Sequence, residues 1–386
     1  MNGERIYLDH AATTPCRPEA IEAMLPHLRD AANAGSSHAD GRRARNAVDD
    51  ARARVGAALG VQPREIVFTS GGSEADSLAL AGVARAARAR GRHIVTLATE
   101  HHAVLHATEA LRDDGWEVTV LGVDGEGLIG IDAFVSALRP DTVLASIMLA
   151  NNEIGTIAPV AALSRAARER GVLFHTDAVQ APGRVALDAG ELGVDLMSLS
   201  AHKFYGPKGV GLLFVRTGTP LAPIVLGGGQ EAGMRAGTEN VAGIIGLATA
   251  LELAVAELAQ SAPRIAALRD AFEAGARARI PDVVVHGAAA PRLPNIANLG
   301  FPGADGAALL VSLDLAGVSA SAGSACTSGS QQPSHVLAAL GQGATTAAVR
   351  FSLGRSTTSA QIESVLDLLP GIVASAREAP AFVGTS

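Results

Sequence analysis

The sequence predicts an α/β protein in which a large, mainly parallel sheet is followed by a smaller α+β unit. Between about residues 42 and 216, seven short apolar runs alternate with segments that have the length and Ala/Arg/Leu content of crossover helices. Beyond residue 241, a long helical stretch leads into short strands mixed with helices. The 386 residues are enough for two or three domains of about 150 residues each.

The elements of the large sheet follow one another along the chain. Segments 41–59 and 73–90 are typical of crossover helices. Ligands of such sheets bind at the carboxyl ends of the strands, so we expect the functional residues there. The apolar runs predicted as strands are 66–69, 93–97, 117–121, 143–149, 172–175, 195–199 and 209–215.

The smaller unit follows a helical stretch at 241–279, which we expect to be broken near 261–263 because of Pro263. The segment 319–334 is too rich in Ser and Gly to be a strand or helix throughout, which predicts a mobile loop. The predicted strands are 283–286, 296–300, 318–321 and 349–353, and the predicted helices are 304–315 and 359–374.

The composition is that of a globular, mildly acidic protein, with 48% hydrophobic residues, 18% charged residues and a formal net charge of −7. It argues against disorder and against a nucleic-acid-coating surface. The first ten residues carry charges where a secretory signal needs an apolar run, and the apolar stretch at about 241–251 is too short to span a bilayer. We therefore expect a cytoplasmic protein with neither a membrane nor nucleic acid as a direct partner.

Two residue types are scarce enough to narrow the chemistry. Only Lys203 and Lys208 can supply an amine nucleophile, and they lie five residues apart. Cys16 and Cys326 are the only cysteines, too few for a disulfide framework or a four-thiolate zinc site. The histidines have no carboxylate at a matching spacing, so no metal site is predicted.

Both lysines lie in the segment SAHKFYGPKG at 200–209, which follows a predicted strand. A lone lysine is usually an ordinary surface residue, but this chain uses arginine almost everywhere else, which favours a special role for Lys203. Asp177 follows another strand; its carboxylate suits either a cofactor pyridine nitrogen or the cap of the next helix, and both interpretations stay open. The glycine turn TSGGSE at 69–74 precedes a predicted helix N-terminus, which suits a phosphate.

Nine motifs occur in order between residues 7 and 355, and together they resemble the NifS/IscS-type cysteine desulfurases of the class V aminotransferase group. The motifs are YLDHAATTP, FTSGGSEAD, TEHHAV, ANNEIG, HTDAVQ, SAHKFYGPKG, GGGQEAGMRAGTEN, SAGSACTS and VRFSLGR.

The resemblance implies a pyridoxal 5′-phosphate (PLP) enzyme of fold type I that forms a homodimer. A large PLP-binding domain would span 14–255, and a small domain would combine 1–13 with 256–386 and carry the catalytic cysteine loop at about 319–334. The implied substrate is L-cysteine, which is converted to L-alanine. Its sulfur would pass to an acceptor protein, either an iron–sulfur scaffold or a tRNA-thiolation enzyme.

The resemblance also implies roles for individual residues. Lys203 is the Schiff-base lysine and later moves the Cα proton of the substrate, while His101 stacks on the cofactor ring and helps proton transfer. Cys326 attacks the substrate sulfur and carries it as a persulfide, whereas Cys16 is structural. The other implied contacts are Asp177 with the pyridine nitrogen, Asn152 and Gln180 with the ring hydroxyl, Gly72, Ser73, Ser200 and His202 with the phosphate, Thr238 with the phosphate in the other subunit, and Arg350 and Asn152 with the substrate.

The chain departs from the usual pattern of the family at Ala232, where arginine is common, and at Ala75-Asp76-Ser77, where SDN is common. Three alternatives remain: a selenocysteine lyase, an alanine–glyoxylate-type aminotransferase, and a non-enzymatic scaffold with the same fold. Cys326 argues against the aminotransferase because transamination does not use a thiol. The retained catalytic set argues against a scaffold, whereas activity on selenocysteine stays open.

Overall fold

The computed structural model describes residues 5–322, 334–342 and 346–378. Within these ranges the strands are β1 (Ile6–Tyr7), β2 (Ile66–Thr69), β3 (His93–Leu97), β4 (Glu117–Leu121), β5 (Thr142–Ser146), β6 (Leu173–Asp177), β7 (Leu196–Ser200), β8 (Gly211–Val215), β9 (Val284–Val285), β10 (Ile296–Pro302), β11 (Val318–Ser319) and β12 (Thr346–Ser352). The helices are α1 (Pro18–Arg29), α2 (Ala39–Leu59), α3 (Gly72–Ala87), α4 (His102–Asp113), α5 (Ile131–Ala137), α6 (Val160–Arg168), α7 (Ala189–Leu192), α8 (Val241–Arg279), α9 (Gly306–Leu315), α10 (His335–Ala339) and α11 (Ser359–Glu378).

The large sheet of the described chain has seven strands in the order β2-β8-β7-β6-β5-β3-β4. Strands β3 to β7 run parallel, and β8 is antiparallel to both of its neighbours. The predicted α/β class with a mainly parallel sheet is confirmed, and β2, β3 and β4 have the predicted bounds. The run predicted as 143–149 forms a strand that ends at Ser146, although the N–H groups of Ile147 and Leu149 still donate to the backbone oxygens of His175 and Asp177 at 3.1 and 2.9 Å.

Two smaller sheets of the described chain are formed by C-terminal strands together with the N-terminal strand β1. Strand β10 pairs antiparallel with β12 and with β9, and the N-terminal strand β1 pairs parallel with β11. Leu8, just after β1, belongs to the same hydrophobic cluster as Leu299 and Phe351 of the three-stranded sheet. The first residues of the chain therefore pack with its last third, while the domain boundaries near residues 14 and 255 stay a prediction.

Helix α8 is continuous through Pro263, so the expected break near 261–263 is wrong. Leu247 and Leu251 are buried in the core beside the large sheet, and Phe272 and Ala276 in the core of the smaller sheets. A proline inside a helix costs about 3 kcal/mol. Burial of apolar side chains on both sides of it offsets that cost, at about 1.5 to 3 kcal/mol for each large one.

By length and composition alone, α8 could cross a membrane; among the described helices of at least 18 residues it is the one that meets this test. The apolar stretch at 241–251, too short by itself to span a bilayer, is therefore only the first part of this helix, which runs to residue 279. However, 56% of its most apolar window is buried inside the protein, and it packs against α1, α2 and α11. Its burial is thus that of a core helix.

Candidate active site

A cavity of about 250 Å³ opens at the carboxyl edge of the large sheet, beside β6 and β7. This is where a parallel α/β sheet is expected to bind its ligand. Most of the residues predicted for the site lie in its wall. The lining residues that the sequence singled out are Gly72, Ser73, His101, Asn152, Asp177, Gln180, Ser200, His202, Lys203 and Arg350.

Lys203 lies in the short 3-10 turn Ala201–Lys203 that follows β7. Its Nζ donates hydrogen bonds to the backbone oxygens of Ala11 and Ala12, each at 2.7 Å. The N-terminal segment thus covers the amine, although it is about 190 residues away in the chain. Tyr205, two residues after Lys203, has a φ of +67°, which is rare for a residue with a side chain.

Asp177 is the last residue of β6 and is 6% exposed. Its Oδ1 accepts a hydrogen bond from the Val179 backbone N–H at 2.9 Å. Burial raises the pKa of this carboxyl to about 6, while the charge of Lys203 lowers it. A buried carboxylate of this kind is stabilised by a cationic group, such as a protonated pyridine nitrogen.

Two further buried carboxyl groups, Asp76 and Glu100, lie close enough to Asp177 to feel its charge. Burial raises the pKa of both well above the ordinary range, and the charge of Asp177 adds to the rise. Asp76 lines the cavity, and its Oδ1 has no hydrogen-bond partner among the described residues. Neither group was assigned a role from the sequence, because a carboxylate in a helix or turn is ordinarily exposed.

His101 caps the N-terminus of α4, with its Nδ1 accepting a hydrogen bond from the Ala103 N–H at 3.1 Å. Burial is the main cause that lowers the pKa of its ring to about 4, and nearby Lys203 contributes. The ring is therefore neutral at pH 7. Because Nδ1 accepts, the remaining proton belongs on Nε2.

The N-terminus of α3, a helix of 16 residues, forms the end of the site that suits an anion. A second cavity of about 360 Å³ meets the first here and shares Gly72, Ser73, Ser200 and His202 with it. A Cβ at Gly72 would lie 2.9 Å from Val179 Cγ2, too close for an ordinary contact. Only glycine therefore lets the chain pass at this point without a shift.

Arg350, in β12, is 1% exposed and reaches the cavity from the smaller sheet. Its Nη1 donates to the Asn152 backbone oxygen at 2.9 Å, and its Nη2 lies 2.9 Å from Asp9 Oδ1. Asp9 was not identified from the sequence. Its partner Arg350 is 341 residues away in the chain, so the motif YLDHAATTP alone does not indicate this contact.

Gln180 also lines the cavity, and its Nε2 donates to the Ala11 backbone oxygen at 2.9 Å. Its Oε1 accepts from Arg184 Nη1 at 2.7 Å. Arg184, four residues further on, was not identified from the sequence.

Three residues singled out from the sequence are not among the described residues that line the two cavities. Thr238 is exposed and does not line either cavity. Cys326 lies outside the described residues. Cys16 is partly buried, and burial raises the pKa of its thiol, which makes it a poor nucleophile.

No cluster of three or more metal-ligating side chains occurs in the part of the chain that the structure describes. The cavity wall instead fits PLP. The amine of Lys203, the buried carboxyl of Asp177 and the anion-binding end at Gly72 lie in one continuous site. They match the aldehyde, the pyridine nitrogen and the phosphate of that cofactor.

Known proteins resemble the chain over nearly its whole length. The family described as Aminotransferase class-V matches residues 6–365. The protein named Cysteine desulfurase IscS from Dictyoglomus turgidum is 49% identical over 371 residues, covering 95% of this chain and 94% of that protein. The protein of the same name from Methanosarcina thermophila is 46% identical, covering 95% and 92%. A solved NifS-like protein superposes with a TM-score of 0.89 at 36% identity, covering 96% of this chain and 100% of the other.

Proposed function

Since the chain belongs to the class V aminotransferase family and is a PLP-dependent cysteine desulfurase, we propose that it converts L-cysteine to L-alanine in the cavity beside β6 and β7 and carries the sulfur as a persulfide on Cys326. The observation that carries this assignment is the meeting of Lys203, Asp177, His101 and Arg350 in one wall. They come from four separate parts of the chain.

Bound PLP supplies an electron sink that stabilises negative charge on the carbon atoms of the substrate. In our proposal Lys203 bonds it covalently and Asp177 pairs with its pyridine nitrogen. Gln180 and Asn152 approach its ring hydroxyl, and His101 covers the ring face. The residues proposed for the phosphate are Gly72, Ser73, Ser200 and His202.

Arg350 is proposed to bind the substrate carboxylate, because a guanidinium fork can donate two parallel hydrogen bonds to it. Its neighbours Asp9 and Asn152 already fix the plane of the fork. Asn152 would line the substrate side of the same pocket. The substrate would therefore enter with its carboxylate toward the smaller sheet.

Lys203, once released from the cofactor, is the group proposed to take the Cα proton. Its amine lies between two backbone carbonyls, which orient it. His101 carries a proton on Nε2 and suits hydrogen-bond donation toward the substrate. A neutral imidazole is a weak acid, so proton transfer by His101 is proposed to begin with the uptake of a second proton on the ring.

The Cys326 thiolate then forms an S–S bond with the substrate sulfur as the Cβ–Sγ bond breaks. The electron pair of the broken bond stays with the carbon skeleton, which gains a proton and leaves as alanine. One thiol and L-cysteine thus give one persulfide and L-alanine. The persulfide would pass its outer sulfur to an iron–sulfur scaffold or a tRNA-thiolation enzyme.

We further propose a cytoplasmic homodimer with domains at 14–255 and at 1–13 with 256–386. Exposed Thr238 is free to reach a second subunit, and Leu226 in the same region is 78% exposed. Separate hydrophobic clusters beside the large and small sheets support the two domains.

The test is to map the persulfide after incubation with L-cysteine. Mass spectrometry should find one added sulfur on Cys326 and none on Cys16, together with stoichiometric alanine. Cys326→Ser should keep bound cofactor but lose alanine production by orders of magnitude, because a serine hydroxyl is neither ionised nor soft at neutral pH. Cys16→Ser is the matched control and should retain activity. Sulfur on Cys16, or full activity in Cys326→Ser, would refute the assignment.

A further inference from the structure

Arg184 lies in the turn between β6 and α7 and is only 7% exposed. Its Nη1 donates to the side-chain and backbone oxygens of Gln180, at 2.7 and 2.9 Å. Its Nη2 donates to the backbone oxygen of Lys203 at 3.1 Å. One buried side chain thus links two residues of the proposed cofactor site.

No carboxylate pairs with Arg184 within the described ranges of the chain. Burial lowers the pKa of its guanidinium to about 10, and the charge of Arg350 adds to the lowering. A buried arginine ordinarily has an anionic partner, since an uncompensated buried charge is costly. Here its hydrogen bonds go to neutral oxygens that belong to the site.

The contacts decide which way the Gln180 carboxamide faces. Arginine has only donors, so the group that faces it must be the amide oxygen. The NH₂ group is thereby turned to the other side, where it donates to the Ala11 backbone oxygen at 2.9 Å. That same oxygen accepts from Lys203 Nζ at 2.7 Å. One N–H of Gln180 remains for the cavity that Gln180 lines.

We propose that Arg184 is a positioning residue that holds the Gln180 amide with its NH₂ group toward the ring hydroxyl oxygen of bound PLP. The inference rests on the proposed function, because it assumes that Gln180 faces the cofactor. Without Arg184 the amide is able to flip and present its oxygen to the cofactor oxygen, which repels it. Arg184 therefore acts on the cofactor only through Gln180.

The test uses the holoenzyme and the pH titration of its visible absorption band. A donor to the ring oxygen lowers the apparent pKa of that band, because it stabilises negative charge there. Arg184→Met should raise this pKa by about 0.5 to 1 unit, the range of one hydrogen bond. Gln180→Leu should raise it by a similar amount. Arg170→Met, at an exposed arginine, is the control for loss of charge and should leave it unchanged.

The double variant Arg184→Met with Gln180→Leu separates the possibilities. If Arg184 acts through Gln180, the apparent pKa of the absorption band in the double variant is no higher than in Gln180→Leu alone. Additive shifts would overturn the proposal and show that Arg184 acts through its charge. No shift in Arg184→Met, with a shift in Gln180→Leu, would also overturn it. No shift in Gln180→Leu would instead refute the proposed role of Gln180 in the site.

Folding is monitored by thermal melting of each holo variant. If Arg184→Met does not fold, Arg184→Ala replaces it, because its side chain carries no donor that could hold Gln180 Oε1. The same shift is expected, and a band pKa equal to that of wild type would count against the proposal.

Discussion

Arg350 and Asp9 are 341 residues apart in the chain, yet Arg350 Nη2 lies 2.9 Å from Asp9 Oδ1. The Arg350 side chain is 1% exposed and that of Asp9 is 18% exposed. Arg350 Nη1 also donates to the Asn152 backbone oxygen. The guanidinium is therefore oriented by the protein before a substrate carboxylate arrives, and the acid that orients it carries the same charge as the substrate.

Asp9→Asn keeps an oxygen that can accept from Arg350 but removes the negative charge. The KM for L-cysteine should fall about fivefold, because roughly 1 kcal/mol of repulsion on the substrate carboxylate is relieved. Asp9→Ala also removes the orienting acceptor, so its KM should rise. Steady-state kinetics measures the KM for L-cysteine in both variants. An unchanged KM in both would show that Asp9 affects neither the local charge nor the orientation of the Arg350 guanidinium.

Arg350→Ala should raise the KM for L-cysteine about tenfold or more, since charge-assisted hydrogen bonds to the carboxylate are lost. Cofactor content, read from visible absorbance, should stay near that of wild type. Arg355→Ala is the control, because Arg355 is a partly exposed arginine in the same motif. A KM equal to that of wild type in Arg350→Ala would assign the carboxylate to another group.

Lys203→Ala should lose the covalent bond to PLP, so that borohydride treatment leaves no cofactor mass on the protein. Lys208→Ala should retain it, because Lys208 is exposed and lines the second cavity rather than the first. Intact-protein mass spectrometry compares the two. Trapped cofactor in Lys203→Ala would transfer the role to Lys208.

Asp177→Asn should change how the stability of the cofactor-free protein depends on pH. Burial raises the pKa of Asp177 from 3.8 to about 6, so the folded state holds a proton that the unfolded state has already lost between these values. The contribution of this raised pKa to the free energy of unfolding is complete below about pH 4 and is lost as the pH rises through 6. Between pH 4.5 and 7, the free energy of unfolding should therefore fall by roughly 2 kcal/mol less in the variant than in wild type.

Denaturant unfolding at pH 4.5 and 7 measures this difference. Asp76 and Glu100 also titrate abnormally around Asp177, and Lys203 opposes the shift. Because the charge of Asp177 adds to the raised pKa of Asp76 and of Glu100, the comparison reports the loss of the Asp177 carboxylate together with its effect on these two groups. The same pH dependence in both proteins would show that Asp177 is already ionised at pH 4.5.

The sequence by itself determined the fold class and the strands that flank the site. Strands such as His93–Leu97 lie between helical segments and are fully buried, so a short apolar run bounded by turns was a sufficient signal. Lys203 and Asp177 could be assigned to the carboxyl edge of the sheet, because each directly follows such a run. The motifs that resemble cysteine desulfurases predicted further residues of the cavity wall, such as His101 and Arg350, but not Asp76, Glu153 or His335.

Only the tertiary structure decided which groups meet from distant parts of the chain. The pairing of Asp9 with Arg350, the hydrogen bonds of Lys203 to the N-terminal segment, and the contacts of Arg184 with Gln180 leave no local pattern in the sequence. Pro263 is a strong local signal that was overruled, because α8 packs on both sides of it. Local propensity acts over a few residues, whereas burial and electrostatics act on whatever the fold brings together.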